Sequence, residues 1–70
     1  MSSQENFAQT IRNLRKQHGI TQSQLADISG VSLPTISRIE RGKETVRLDV
    51  LNKLIDCLGY ELVIRPIKKP

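Results

Sequence analysis

The segment SLPTISR, residues 32–38, contains residue types that recognise the edges of DNA bases. Arg38 can donate two parallel hydrogen bonds to a guanine, and it could equally hold a phosphate. Serine and threonine hydroxyls bind several bases and discriminate less between them, whereas Leu33 can contact a thymine methyl group or simply pack. The candidate base-contacting residues are Ser32, Leu33, Thr35, Ser37 and Arg38.

Other side chains near this stretch could bind the DNA backbone. A basic cluster follows it, which could contact phosphates or form an ordinary solvated surface. Gln22 stands at a predicted helix start, where main-chain amides without a helical acceptor can hold a phosphate oxygen. Eleven Lys and Arg against seven Asp and Glu give a net charge of +4, a modest excess that favours a polyanionic partner. The cluster consists of Arg41, Lys43 and Arg47.

These residues need a rigid frame, and the segment from Gln22 to Arg41 has the pattern of one. Ala26 is small enough for two helices to approach closely, and Gly30 can adopt the positive φ that a tight turn requires. Ile36 fills the crossing from the second helix. The pattern predicts a helix-turn-helix whose second helix enters the major groove of DNA. The alternative is a helical hairpin that does not contact DNA.

Apolar periodicity and capping residues predict four helices in one domain. With one Phe, one Tyr and no Trp, the core must consist of Leu, Ile, Val and Ala. A core of this size is marginal for a monomer, so oligomerisation is a natural source of further stability. The predicted helices run from about Glu5 to His18, from Gln22 to Ser29, from the Ser32 cap to Gly42, and from Leu48 to a cap at Gly59.

The segment after the fourth helix has the two-residue period of a β-strand, and no other segment has it. Its main-chain groups would stay unpaired in an isolated strand, so we predict that it pairs across a homodimer. The alternative is a tail that lies over its own core. We expect residues 1–59 to form the DNA-binding domain, residues 60–65 the strand and residues 66–70 a basic tail. The predicted dimerisation residues are Tyr60, Leu62, Val63 and Ile64.

The remaining composition argues against several classes of protein. Cys57 is the single cysteine, so neither a disulfide within the chain nor a cysteine metal site is expected. There is no apolar run of membrane-spanning length and no signal-peptide pattern. His18 has no nucleophile or paired carboxylate to work with, so we interpret it as structural. We expect a cytoplasmic, nucleoid-associated bacterial protein that is not an enzyme and has no cofactor.

The chain resembles the Xre, or lambda-repressor-like, family through RKQHGITQSQLADISGVSLPTISRIERGK and the following LDVLNKLIDCLGY. The resemblance implies an all-α, four-helix helix-turn-helix domain in which Arg15 and Glu40 form a structural ion pair. It also implies DNA contacts from Gln22 and the exposed positions of the third helix, with Arg41 and Lys43 on phosphate. One departure is that Leu33 and Pro34 stand where well-known repressors place glutamine or another polar residue.

The ending YELVIRP is similar to that of the HipB-type antitoxins, whose C-terminal strands pair across a dimer. This resemblance implies an antitoxin that binds an inverted-repeat operator as a dimer, represses its own operon and sequesters a HipA-type serine/threonine kinase toxin. A stand-alone repressor of phage or restriction-modification type would use the same DNA surface without a toxin partner. An interaction module that has lost DNA binding is the third hypothesis.

Overall fold

The structure, a computed structural model, describes residues 3–43 and 45–67. It contains four α-helices, which confirms the all-α, four-helix prediction; no strand lies within the described ranges. None of the described helices is long and apolar enough to cross a membrane. Residues 68–70 of the predicted basic tail lie outside the described part. The helices are α1 Ser3–Gln17, α2 Gln22–Ser29, α3 Leu33–Glu40 and α4 Leu48–Cys57.

The helix ends follow from local capping. At α2, the Thr21 side chain accepts a hydrogen bond from the Gln24 amide while the Gln24 side chain accepts one from the Thr21 amide, which is a capping box. The third and fourth helices end two residues before the glycines predicted to stop them. Gly42 and Gly59 lie just beyond the cap residues at φ of 69° and 85°, where the chain reverses direction in a Schellman turn.

The turn between α2 and α3 has the conformation that the sequence predicts. Gly30 adopts a φ of 78°, and its N–H donates to the carbonyl of Ala26 at 2.9 Å. Ser32 then caps α3, with Pro34 in the first turn, where a missing N–H costs no helical hydrogen bond. Two short helices therefore cross around a tight turn, as a helix-turn-helix requires.

A single core of aliphatic side chains fixes the position of α3. Helix α3 packs against α1 and α2, and α2 also packs against α4. Every helix contributes to the core, so α3 cannot shift without disturbing the other three. The most deeply buried side chains are Ile11, Leu25, Ile36, Ile39, Leu54 and Leu58.

The chain after α4 has no regular secondary structure in the described residues. The Tyr60 N–H donates to the carbonyl of Ile55 at 2.9 Å, and the Tyr60 ring lies edge-to-face with that of His18 at a centroid distance of 6.3 Å. Beyond this point the segment is exposed, with Ile64 91% accessible. The strand across a dimer stays a prediction, because its proposed partner is a second chain.

Candidate nucleic-acid interface

One face of α3 is buried in the core and the opposite face is open to solvent. Ile36, Ile39 and Glu40 are at most 2% exposed. Leu33 is 42% exposed, and Arg38 is also exposed, in the last turn of the helix. Helical periodicity therefore separates the core residues from the predicted base-contacting residues, of which Thr35 and Ser37 lie half-buried at the boundary.

The two hydroxyls at the start of α3 have different roles. The Ser32 Oγ accepts a hydrogen bond from the Thr35 amide at 3.3 Å and donates one to the Thr35 Oγ1 at 2.7 Å. Ser32 is thus committed to capping the helix, while the Thr35 hydroxyl makes only one of these two contacts and keeps more hydrogen-bonding capacity. Of these two predicted base-contacting residues, Thr35 is better placed to contact DNA.

The basic cluster after α3 is exposed, but its members differ in their contacts. Arg41 Nε donates a long, 3.4 Å hydrogen bond to the Ser37 carbonyl. Arg47 Nε lies 3.3 Å from Asp49 Oδ1, in an ion pair whose side chains are 78% and 60% exposed. Such an exposed pair contributes little stability and exchanges easily for another anion. Lys43 is exposed as well.

A cleft of about 310 Å³ separates the middle of α3 from the loop before α4. Thr35 and Arg47 both line it, so the fold brings together two predicted DNA-contacting residues that are twelve positions apart in the sequence. The rest of the described lining is largely aliphatic and includes Ile39 and Val50.

Glu40 is a buried carboxylate that joins α1 to the end of α3. Arg15 donates to it twice, from Nε to Oε2 at 2.7 Å and from Nη2 to Oε1 at 2.9 Å. The side chains of Arg15 and Glu40 are only 12% and 2% exposed, and Arg15 also donates to the Ile20 carbonyl. The structure therefore brings together the two residues of the predicted ion pair in a bidentate geometry, which is the strong form of this interaction.

Two further donors complete the surroundings of Glu40. Gln22 Nε2 donates to Glu40 Oε1 at 3.1 Å, and a guanidinium N–H of Arg12 donates to the Glu40 main-chain carbonyl. The first residue of α2 thus lies beside the last residue of α3, at the same end of that helix as Arg41. Sequence reasoning missed both contacts; the only signal for Arg12 was its position one turn before Arg15 on α1.

The contacts of Glu40 keep it ionised. Burial alone would raise the pKa of its carboxyl, but the hydrogen bonds that Arg15 and Gln22 donate outweigh burial, so this pKa lies below its usual range. The positive charges nearby act in the same direction. The hydrogen bond to Glu40 in turn raises the pKa of Arg15. The pair therefore stays charged at neutral pH.

The start of α2 offers main-chain donors. The capping box uses the amides of Thr21 and Gln24, whereas the amides of Gln22 and Ser23 donate to no acceptor in the described structure. Two such N–H groups at a helix N-terminus favour an anion. Because Glu40 accepts one hydrogen bond from the Gln22 side chain, that side chain is held next to these amides with a second N–H still to donate.

Comparison with known proteins agrees with this architecture. A sequence profile described as "Helix-turn-helix" matches residues 11–64. An HTH-type transcriptional regulator of Haemophilus influenzae is 46% identical over 54 residues, which cover 77% of this chain and 55% of that protein. The HTH-type transcriptional repressor RghR of Bacillus subtilis is 44% identical over 55 residues, covering 77% of this chain and 41% of RghR.

Two similarities concern antitoxins. The antitoxin PezA of Streptococcus pneumoniae is 28% identical over 70 residues, covering 89% of this chain and 44% of PezA. A solved structure of a toxin-antitoxin module from Streptococcus pneumoniae superimposes with a TM-score of 0.76 at 33% identity, covering 96% of this chain and 83% of that one.

The chain spans about half the length, or less, of the curated relatives it matches. The names of these relatives agree with the prediction that the chain is a regulator and not an enzyme. The profile covers the helix-turn-helix, the ion-paired Arg15 and Glu40, and α4. The protein therefore belongs to the Xre-like helix-turn-helix family.

Proposed function

We propose that this protein is a sequence-specific DNA-binding repressor that acts as a homodimer. The observation that carries the proposal is the link from Gln22 to Glu40, which fixes the anion-attracting start of α2 beside the end of the exposed helix α3. Phosphate contacts set the register of a base-contacting helix on the duplex. The arrangement holds a helix for the bases, α3, and a phosphate-binding helix start, that of α2, in a fixed relation to each other.

In this proposal α3 enters the major groove. Arg38 is the main candidate for a base contact, with the Thr35 hydroxyl as a second candidate. Ser37 stands near the edge of the same face, and Leu33 offers an apolar contact to a thymine methyl group. Ser32 supports the readout indirectly by capping α3.

Phosphate contacts come from the two ends of the motif. The amides of Gln22 and Ser23 and the Gln22 side chain bind one phosphate at the start of α2. The basic cluster Arg41, Lys43 and Arg47 binds others, with Arg47 exchanging Asp49 for a phosphate oxygen. The negative charge of Glu40 does not oppose these contacts, because Arg15 neutralises it inside the fold.

We further propose that the repressor is the antitoxin of a toxin-antitoxin pair and represses its own operon. The similarity to PezA and to the toxin-antitoxin module supports this assignment. The resemblance of the C-terminal segment to HipB-type antitoxins points to a HipA-type kinase as the toxin. Affinity capture from the native cell tests it: a co-purifying HipA-type kinase supports the proposal, and its reproducible absence contradicts the toxin assignment.

A stand-alone repressor is the second candidate, favoured by the 44% identity to the repressor RghR. It shares the DNA-binding mechanism and differs only in lacking a toxin partner. Capture of the protein without a toxin, together with an intact mobility shift on its own promoter, would favour this candidate.

Selection of binding sites from a random duplex library tests the DNA-binding function itself. We expect enrichment of an inverted repeat by the wild-type protein and loss of that enrichment in Arg38→Glu. The matched control is Lys16→Glu, which makes the same charge change on an exposed site of α1 outside the motif. Absence of any enriched sequence with the wild-type protein would contradict sequence-specific binding.

A further inference from the structure

The segment after α4 exposes apolar side chains and unused main-chain donors together. The N–H groups of residues 61–65 and of Ile67 donate no hydrogen bond within the described part of the chain. Leu62, Val63 and Ile64 are 40%, 56% and 91% exposed. Pairing with another strand would satisfy the donors and cover the side chains at once.

Alternate residues of this segment fall on two faces. Leu62 and Ile64 line an open groove of about 530 Å³ together with Leu48 of α4. Residues two apart on a strand share a face, so the face with Leu62 and Ile64 is the one beside α4. We call it the groove face. The opposite face holds Glu61, Val63 and Arg65.

Twofold symmetry restricts how two such segments can pair. Both copies turn the groove face to the same side, each towards its own α4. Residues directly opposite in antiparallel strands share a face, so a groove-face residue can stand only opposite another groove-face residue. The twofold axis then passes through a pair formed by the same residue of both copies. It cannot pass between two successive pairs along the strands. The candidates at the centre of the segment are Leu62, Val63 and Ile64.

One of these three registers pairs the charges of the segment. With Val63 on the axis, Glu61 stands opposite Arg65 of the second copy, and symmetry repeats this pair on the other side. With Leu62 on the axis Glu61 faces Val63, and with Ile64 on the axis Arg65 faces Val63. Neither Glu61 nor Arg65 forms an ion pair among the described residues of its own chain. Opposite charges directly across a sheet stabilise it.

We propose that a second copy of this chain pairs with the segment as an antiparallel strand, with Val63 on the twofold axis and two Glu61–Arg65 ion pairs across it. On the groove face, Leu62 of each copy stands opposite Ile64 of the other, with α4 beside them. The inference rests on the proposed homodimer and adds its register.

Charge reversal tests the register. Glu61→Lys and Arg65→Glu each replace two attractive pairs by two like-charged pairs, so each full-length variant is expected to self-associate roughly tenfold more weakly. An equimolar mixture of the two variants restores both attractive pairs and is expected to form the mixed dimer in preference to either homodimer. Lys16→Glu, an exposed reversal on α1, is expected to leave the dimer unchanged.

Sedimentation equilibrium and native mass spectrometry measure these populations. A mixture that shows no preference for the mixed dimer would overturn the register. A wild-type protein that stays monomeric at high micromolar concentration would overturn both the register and the proposed homodimer, and would leave the segment to a different protein. The two failures are therefore distinguishable.

Cysteine cross-linking gives an independent readout of the axis. In a Cys57→Ser background, Val63→Cys places two thiols opposite each other, at a Cα separation that suits a disulfide in either type of antiparallel pair. We expect Val63→Cys to form a covalent dimer on mild oxidation, and Leu62→Cys and Ile64→Cys to do so at least tenfold more slowly. Faster cross-linking of either neighbouring variant would overturn the proposal.

Discussion

Glu40 carries a negative charge at the end of the helix that we propose reads DNA, yet its side chain is only 2% exposed. Two donors on Arg15 and one on Gln22 satisfy its carboxylate. A buried carboxylate of this kind stabilises the packing of the helices that it links. Removing any one partner would leave a buried charge or donor without a hydrogen-bond partner. The contact therefore holds α1 and the start of α2 against the end of α3.

The first prediction concerns stability. Glu40→Gln removes the charge that compensates Arg15, so the free energy of unfolding should fall by about 3 kcal/mol or more, as for other broken buried pairs. Urea melts measure it. The matched control is Asp49→Asn, which breaks the exposed pair with Arg47 and should cost less than about 1 kcal/mol. Equal effects of the two substitutions would contradict a structural role for Glu40.

The second prediction concerns pH. The pKa of Glu40 is lower in the folded protein than in the unfolded chain. Its ionised carboxylate therefore contributes fully to the free energy of unfolding above the unfolded pKa of about 4.3. This contribution is lost as the pH falls through the folded pKa. The difference in the free energy of unfolding between wild type and Glu40→Gln should therefore be constant from pH 7 to pH 5 and decrease below about pH 4. A difference that instead grows as the pH falls from 7 to 5 would mean that the folded pKa is raised.

The third prediction separates base contacts from phosphate contacts. Arg38→Ala should relax the preference at one base pair, at a cost of about 1 to 3 kcal/mol there, if the contact is bidentate. Arg41→Ala or Lys43→Ala should weaken binding to all sequences and make its salt dependence shallower, since each phosphate contact releases about one counterion. Titrations of an operator library at several salt concentrations distinguish these outcomes. A uniform loss in Arg38→Ala would place Arg38 on the backbone.

The described chain consists of four helices followed by a segment without regular secondary structure. The fourth prediction is that deletion of residues 60–70 yields a monomer whose four helices remain folded, because the core lies before that point. Sedimentation measures the association and circular dichroism the helix content. If the truncated protein is still a dimer, the segment is not the main interface, and packing of α4 becomes the better explanation.

The elements were predictable because their signals are local. The capping box at Thr21, the turn at Gly30 and the cap at Ser32 each involve residues within a few positions of one another. The contacts of Glu40 with Gln22 and Arg12 join residues 18 and 28 positions apart, and only the packed fold shows them. Helix ends were less accurate, because a glycine in a Schellman turn lies beyond the last helical residue rather than at it.

The same distinction applies to the candidate site. The exposed positions of α3 follow from its periodicity, since residues that are not in the core stripe face solvent. The different roles of Ser32 and Thr35 could not be predicted, because they depend on which of the two hydroxyls also accepts the main-chain amide at the helix start. The pairing of Arg47 with Asp49 could not be predicted either, because an exposed arginine can pair with any carboxylate within its reach.

The proposed dimer places two identical recognition helices on one duplex. A twofold dimer presents them symmetrically, so the DNA site must be an inverted repeat with half-sites about one helical turn, or a multiple of it, apart. The C-terminal segments determine this spacing if they join the two copies. Recognition of both half-sites would then depend on the contact between the two segments.

The fifth prediction concerns the affinity of the full-length protein for its selected inverted repeat as the spacer between the two half-sites lengthens. Inserting about 5 base pairs rotates one half-site by half a turn around the duplex and leaves both half-site sequences intact. Inserting about 10 base pairs returns the two half-sites to the same side of the duplex. We predict that the half-turn insertion lowers the affinity at least tenfold at fixed salt, more than the full-turn insertion does. Equal affinity for all three spacers would contradict a symmetric dimer that reads both half-sites at once.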